Sequence, residues 1–254
     1  MIFESGPYLC VGADPHAEVL SDWGLDESVT GLREFTKIFL DAIPESVKVL
    51  KPQVSLFESF GSQGFAVLED FLAKLNELDK YVIADAKRSD IGSSMAGYAK
   101  AWLSSDGPFL ADAITVSPYL GVGALSETFE LALRNQKRVF VLVATSNPEA
   151  RQIQSDGTAL KVVRELSEHN PEGLGVVVGA TVNTELYGIK QELIQANYPV
   201  LAPGFGEQGA SLSHASEIFA GFANKVIANV SRSVLKGNPL ELAQRIVRAA
   251  LEIR

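Results

Sequence analysis

The chain has 254 residues, of which 46% are hydrophobic and 21% charged, and its formal net charge is −9. This length suffices for one large core, and the negative charge argues against a nucleic-acid-binding protein or one that binds anionic membranes. Because the sequence has no signal peptide, no apolar run near the roughly 18 residues of a membrane span and only one cysteine, Cys10, we expect a cytoplasmic protein without disulfides.

Short apolar runs recur along the chain and predict buried strands. They show little polar alternation, which is typical of parallel strands covered on both faces. In chain order these runs begin at Tyr8, Val47, Tyr81, Ala111, Val139, Leu174, Pro199 and Val226. The segments between them have the apolar spacing of helices, as in residues 32–43 and 65–75.

Eight such strand–helix units predict a single (β/α)8 TIM barrel that forms one domain over residues 1–254. The mean repeat of about 32 residues, 254 divided by eight, suits one strand, one helix and their loops. An open doubly wound sheet is the weaker alternative, because no G-x-G-x-x-G fingerprint follows the first strand.

Polar side chains follow most of the predicted strands, whereas the starts of the same strands are mostly apolar. The polar strand ends are Asp14, Lys51, Asp85 with Lys87, and the segments TVSPYLG, TSNP, GAT, PGFGEQG and SRS. Active sites of barrels lie at the carboxyl ends of the strands. The asymmetry therefore predicts a functional site at this mouth.

The segment DAKRSDIGSS begins at Asp85 and follows the third apolar run directly. Side chains two residues apart in a strand face the same way about 7 Å apart, so Asp85 and Lys87 should both face the mouth. Asp90 follows in the turn, and Ser94 lies one turn along the next helix on the same face. A lysine between carboxylates stays charged and oriented, so it could deliver a proton to carbon without histidine. Taken alone, the motif could also be a surface ion-pair cluster.

The last two strand ends predict a phosphate site. Gly204, Gly206 and Gly209 offer backbone N–H groups that can approach an anion closely. Gln208 adds a neutral donor, and Arg232 adds a forked cation at the end of strand eight. Glycine-rich loops also suit ordinary turns, so the arginine is what favours phosphate.

The strand-end segments resemble orotidine 5′-phosphate decarboxylase, in particular its longer-chain bacterial branch. The resemblance covers nearly the whole chain and includes, in the family's order, VGADPH, KPQVSLFESFG, DAKRSDIGSS, TVSPYLG, TSNPEA, VVGAT, APGFGEQGA and NVSRSVL. The D-x-K-x-x-D core is shared with a wider superfamily, whereas the full set of segments is much more specific.

The resemblance implies conversion of orotidine 5′-monophosphate to UMP and CO2 with no metal and no cofactor. Lys87 would protonate carbon 6 of the pyrimidine, within a charge network completed by Asp85, Asp90 and Lys51. The implied substrate contacts are Asp14, Lys51 and Ser94 to ribose, Ser146 to the base, Gln208 and Arg232 to phosphate, together with Ile91, Gly206 and Ser231. Asp90, Ile91 and Ser94 would reach into the neighbouring subunit's site, so a homodimer would be the active unit.

Two positions depart from the family pattern, and two other functions stay open. Ser89 stands where the family has glycine, which matters if the turn needs a positive φ, and Ser94 stands where it has threonine. A metal-dependent sugar-phosphate decarboxylase or aldolase-like enzyme of the superfamily would need an acidic ligand where Lys51 stands. The remaining alternative is a catalytically silent barrel that only binds nucleotides or partners.

Overall fold

Parallel strands β1 to β8 close into a barrel in the order in which they occur in the chain. The structure is a computed structural model that describes residues 6–253, so residues 1–5 and 254 of the predicted domain lie outside the described residues. The strands are β1 Tyr8–Ala13, β2 Val49–Pro52, β3 Tyr81–Arg88, β4 Ala113–Val116, β5 Arg138–Ala144, β6 Leu174–Val178, β7 Val200–Ala202 and β8 Val226–Val230. Because β1 pairs with β8 as well as with β2, the sheet has no free edge, and the predicted (β/α)8 barrel is confirmed.

Helices follow the strands on the outside of the barrel. They are α1 Ala17–Asp22, α2 Val29–Ala42, α3 Val54–Glu58, α4 Gly61–Glu77, α5 Gly92–Leu103, α6 Ser126–Arg134, α7 Arg151–Ile153, α8 Ala159–Leu166, α9 Lys190–Gln195, α10 Ala215–Ile218, α11 Arg232–Leu235 and α12 Leu242–Glu252. No helix in the described part of the chain is both long and apolar enough to cross a membrane.

The predicted helical faces pack against the barrel. In α2, Phe35 and Phe39 are fully buried, and Phe39 meets Phe71 of α4 edge to face with 5.8 Å between ring centroids. Burying an aromatic side chain of this size contributes roughly 1.5–3 kcal/mol. These rings hold the helices against the strands and keep the barrel wall rigid beneath the loops.

The barrel interior is layered, and the layers follow from the two-residue repeat of a strand. Its apolar layer consists of Cys10, Val49, Ile83, Ala113, Phe140, Val177, Leu201 and Ile227. Two residues further along the strands the same inward face is largely polar, with Lys51, Asp85, Thr115 and Asn229. The apolar layer closes the barrel below, so the polar layer faces the open mouth.

Candidate active site

A cavity of about 700 Å³ opens at the carboxyl ends of the strands. The structure brings to it eight side chains that were predicted from the sequence, namely Asp14, Lys51, Asp85, Lys87, Ser146, Gln208, Ser231 and Arg232. Lys51, Asp85 and Lys87 lie in β2 and β3, and the other five side chains follow the carboxyl ends of β1, β5, β7 and β8. Residues far apart in sequence therefore face one space large enough for a nucleotide-sized ligand.

Asp85 is the centre of the charged groups in this cavity. Its Oδ2 accepts a hydrogen bond from Lys51 Nζ at 2.9 Å, and its Oδ1 accepts one from Lys87 Nζ at 2.6 Å. The Asp85 Oδ1 also accepts from Thr115 Oγ1 at 2.9 Å. Lys51 Nζ also lies 4.0 Å from Asp14 Oδ1. Carboxylates and ammonium groups therefore alternate across the barrel.

Burial and charge act in opposite directions on these groups. Burial would raise the pKa of Asp85, but the ammonium groups of Lys51 and Lys87 outweigh it and hold that pKa well below its usual range. Burial would lower the pKa of Lys51, but the carboxylates of Asp14 and Asp85 hold it above its usual range. The stabilising contribution of Asp85 is thus lost only as the pH falls below about 4, and that of Lys51 only as it rises beyond about 10. Both groups stay ionised at neutral pH.

The backbone at Lys87 departs from a regular strand. Its φ is 47°, in the left-handed region, and its N–H donates to Thr115 Oγ1 at 2.9 Å. Ser89 does not take this conformation, so serine meets no backbone penalty where the family has glycine. The half-exposed Lys87 side chain points its ammonium group from the strand end into the cavity.

Asp14 has one oxygen that accepts no hydrogen bond from the described residues. Its Oδ2 accepts from Ser231 Oγ at 2.5 Å, whereas its Oδ1 is buried without a hydrogen-bond partner. Buried carboxylate oxygens are nearly always hydrogen-bonded, so a ligand hydroxyl is the natural partner of this one.

The loop after β7 and the start of α11 after β8 carry the predicted anion-binding groups. Arg232 begins α11, and its Nη1 lies 3.8 Å from Glu18 Oε1. Lys236 Nζ pairs with Glu207 Oε1 at 2.7 Å and with Glu18 Oε2 at 3.5 Å. Gln208 lines the cavity as well. A forked cation and an amide donor therefore face the space where an anionic ligand group would enter.

Gly206 lies outside the cavity in this structure, and its predicted contact with the substrate stays a prediction. Its backbone groups are bonded within the loop. The Gly206 N–H donates to the Ala210 carbonyl at 2.8 Å, and the Gly209 N–H donates to the Gly206 carbonyl at 2.9 Å. Gly206 has a φ of 78°, and a Cβ there would lie 2.5 Å from Ser233 Cβ. This glycine shapes the loop, and its N–H is not free for an anion.

Asp90, Ile91 and Ser94 lie outside the cavity of their own chain. Asp90 Oδ1 accepts from the Ile91 N–H at 2.8 Å just before α5. Ile91 is 60% exposed, and Ser94 is exposed as well. The structure therefore does not bring the predicted catalytic Asp90 to the Lys87 of the same subunit.

Several residues in the cavity were missed by the sequence analysis. Thr115 and Asn229 lie on the inward face two residues after the apolar layer, and counting by two from Ala113 would have identified Thr115. Gln154 directly follows α7 in a π-helical segment, and its Oε1 accepts from the Thr145 N–H at 2.8 Å. Within residues 6–253, no three His, Cys, Asp or Glu side chains are grouped so that they could hold a metal ion.

Comparisons with known proteins agree on one family. The model of the orotidine 5′-phosphate decarboxylase / HUMPS family matches residues 7–246. An orotidine 5′-phosphate decarboxylase of Corynebacterium efficiens is 44% identical over 245 residues, which cover 91% of this chain and 86% of that protein. The Streptomyces coelicolor enzyme of the same name is 42% identical over 264 residues, with 99% and 93% coverage.

Solved structures show the same similarity. A crystal structure from Streptomyces avermitilis, provisionally assigned as an orotidine 5′-phosphate decarboxylase, has a TM-score of 0.89 and 42% identity, covering 97% of this chain and 90% of that one. The Leishmania donovani OMP decarboxylase has a TM-score of 0.70 and 27% identity, with 94% and 90% coverage.

The alternating charges predict a coupled effect on stability. Lys51→Met should lower the free energy of unfolding by about 3–5 kcal/mol, because it leaves the buried carboxylates of Asp14 and Asp85 with too little positive charge. In the double variant with Asp85→Asn, the loss should be at least about 1 kcal/mol smaller than the sum of the two single losses. Urea denaturation at pH 7 measures all three variants, and strictly additive losses would contradict the coupling.

Proposed function

The chain belongs to the orotidine 5′-phosphate decarboxylase / HUMPS family, and we propose that its cavity converts orotidine 5′-monophosphate to UMP and CO2. The observation that carries this proposal is the Lys87 ammonium group, held at 2.6 Å by the buried Asp85 carboxylate at the mouth of the barrel. The product is a pyrimidine nucleotide, so the reaction is a step of UMP synthesis.

Lys87 supplies what the chemistry requires. When the bond from carbon 6 to the carboxylate breaks, its electron pair stays on carbon 6, where the ring offers no ordinary electron sink. A fixed ammonium group stabilises this negative charge as it develops. A proton then passes from Lys87 Nζ to carbon 6, and the half-exposed amine regains a proton from solvent.

Asp85 and Lys51 prepare Lys87 for this step. Asp85 orients the ammonium group before substrate arrives, so little reorganisation is needed during the reaction. Lys51 occupies the second Asp85 oxygen at 2.9 Å and prevents that carboxylate from turning away.

The remaining polar groups bind the parts of the substrate that do not react. The free Asp14 Oδ1 and Lys51 take ribose hydroxyls, and Ser146 contacts the base. Gln208 and Arg232 take the phosphate, and Ser231 is a further substrate contact. If phosphate binding closes the loops over the cavity, this distant contact raises the chemical rate as well as the affinity.

The active unit is a homodimer in which Asp90, Ile91 and Ser94 complete the partner's site. Support comes from their position, because they are outside their own cavity and Ile91 exposes 60% of its surface at the start of α5.

A cytoplasmic location is supported by the single cysteine, which is free and buried, as is usual where thiols stay reduced.

A metal-dependent sugar-phosphate enzyme is not favoured by this geometry. Both oxygens of Asp85 accept hydrogen bonds from ammonium groups, and Lys51 stands where that class needs an acidic ligand. A silent barrel is not favoured either, because Lys87, Asp85 and Arg232 are all in place around the cavity. Ultraviolet absorbance follows loss of orotidine monophosphate, and activity that persists in EDTA would separate the proposal from both alternatives.

Lys87→Ala should abolish turnover while the protein stays folded, because the other lysine of the cavity, Lys51, is buried with its ammonium group between Asp14 and Asp85. The same absorbance assay measures turnover, and circular dichroism checks the fold. Lys161→Ala, at an exposed lysine of α8, is the matched control and should keep full activity. Retention of more than about 1% of kcat by Lys87→Ala would contradict the proton-donor role, since losing a general acid costs about 100-fold or more.

Arg232→Ala should weaken UMP binding by about 1.5–3 kcal/mol, the range for a hydrogen bond to a charged group. Uridine lacks the phosphate, so its affinity should barely change. Calorimetric titration of both ligands tests this, with the exposed Arg33→Ala as the control. Equal losses for UMP and uridine would place the phosphate site elsewhere.

Mixing two inactive variants tests the shared site. In a mixed dimer of Lys87→Ala and Asp90→Ala chains, one site keeps its own Lys87 and receives an intact Asp90 from its partner. With random exchange, half the dimers are mixed and roughly one quarter of all sites should be active. The control mixes Lys87→Ala chains with chains that carry both Lys87→Ala and Asp90→Ala. It should restore no activity, because every site then lacks Lys87. No recovery after verified subunit exchange would rule out sharing of Asp90.

A further inference from the structure

Strand β3 carries a bulge at the catalytic segment. In the ladder between β3 and β4, Ala84 pairs with Ile114 and Arg88 pairs with Val116. Residues 85–87 of β3 therefore lie opposite a single residue of β4, Thr115. Bulges leave backbone groups without their usual ladder partners and redirect side chains, and they are common beside active sites.

The Thr115 hydroxyl takes the place of the missing ladder partner. The Lys87 N–H donates to Thr115 Oγ1 at 2.9 Å, at the residue where the backbone enters the left-handed region with a φ of 47°. A lysine in that region is strained by an amount of order 1–3 kcal/mol, and it persists only where neighbouring groups hold it.

The same hydroxyl also holds the catalytic carboxylate. Thr115 is 1% exposed, and its one hydroxyl proton is donated to Asp85 Oδ1 at 2.9 Å. That oxygen is also the acceptor for Lys87 Nζ. One oxygen atom of Thr115 thus touches both the backbone of Lys87 and the partner of its ammonium group.

We propose that Thr115 is a positioning residue for the decarboxylation, whose hydroxyl fixes the bulge and the Asp85 carboxylate so that the Lys87 ammonium group is aimed at the reacting carbon. This inference rests on the proposed function. Valine has the shape of threonine without the hydroxyl, whereas serine keeps the hydroxyl and loses only a methyl group. The side-chain oxygen can therefore be tested separately from packing.

The test compares Thr115→Val, Thr115→Ala and Thr115→Ser in kcat, KM and affinity for UMP. For Thr115→Val and Thr115→Ala we expect kcat to fall by about 100-fold, the scale that a misplacement of about 1 Å produces. UMP affinity should change less than about 3-fold, because its phosphate and ribose contacts lie on other strands. Thr115→Ser should retain kcat to within about 3-fold.

Thr36→Val is the control, because it also removes the hydrogen bond of a buried threonine hydroxyl, but in α2 and far from the cavity. Thr36 Oγ1 donates to the Arg33 carbonyl at 2.8 Å. It should lower stability without lowering kcat. A Thr115→Val or Thr115→Ala protein that folds and keeps kcat within about 3-fold of the unsubstituted enzyme would overturn the inference. Equal losses in kcat and UMP affinity, or a Thr115→Ser enzyme as slow as Thr115→Ala, would do the same. If the unsubstituted enzyme does not decarboxylate orotidine monophosphate, the proposed function itself fails.

Discussion

The site depends on one buried carboxylate that is shared by two ammonium groups. Asp85 is 8% exposed, and an isolated charge at that depth would cost several kcal/mol in lost hydration. Lys51 and Lys87 offset this cost, each through a separate oxygen. The contact with Asp85 also fixes the direction of the Lys87 ammonium group. The network therefore stabilises its own charges and at the same time holds a proton donor against the cavity.

The barrel makes this arrangement possible because it carries the charges on rigid elements. Alternate residues of each strand face inward, so the apolar layer that includes Phe140 lies directly below the polar layer. Closure of the sheet leaves little freedom in the strands that carry Lys51 and Asp85. Catalysis through a preorganised charge needs this rigidity, because movement during the reaction would cost part of the stabilisation.

Much of this could be predicted from the sequence, because apolar runs and period-two spacing are local signals. The strands follow from them, whereas Lys87 reaches Asp85 through a bulge that interrupts the two-residue alternation. The role of Gly206 could not be predicted, since the direction of a loop N–H depends on the whole loop. The bulge opposite Thr115 depends on pairing between two strands, which one strand's sequence does not show. The place of Asp90 depends on a second subunit, so it stays a prediction.

The central claim is that Lys87 exchanges a proton with carbon 6. By microscopic reversibility, a group that protonates this carbon must also be able to remove the proton from the product. Nuclear magnetic resonance of UMP in deuterated water, with the enzyme present, measures this exchange directly and without the carboxylate. If Lys87 is the proton donor, the enzyme replaces hydrogen at carbon 6 with deuterium and the Lys87→Ala protein does not. Exchange at the same rate in both proteins would contradict it.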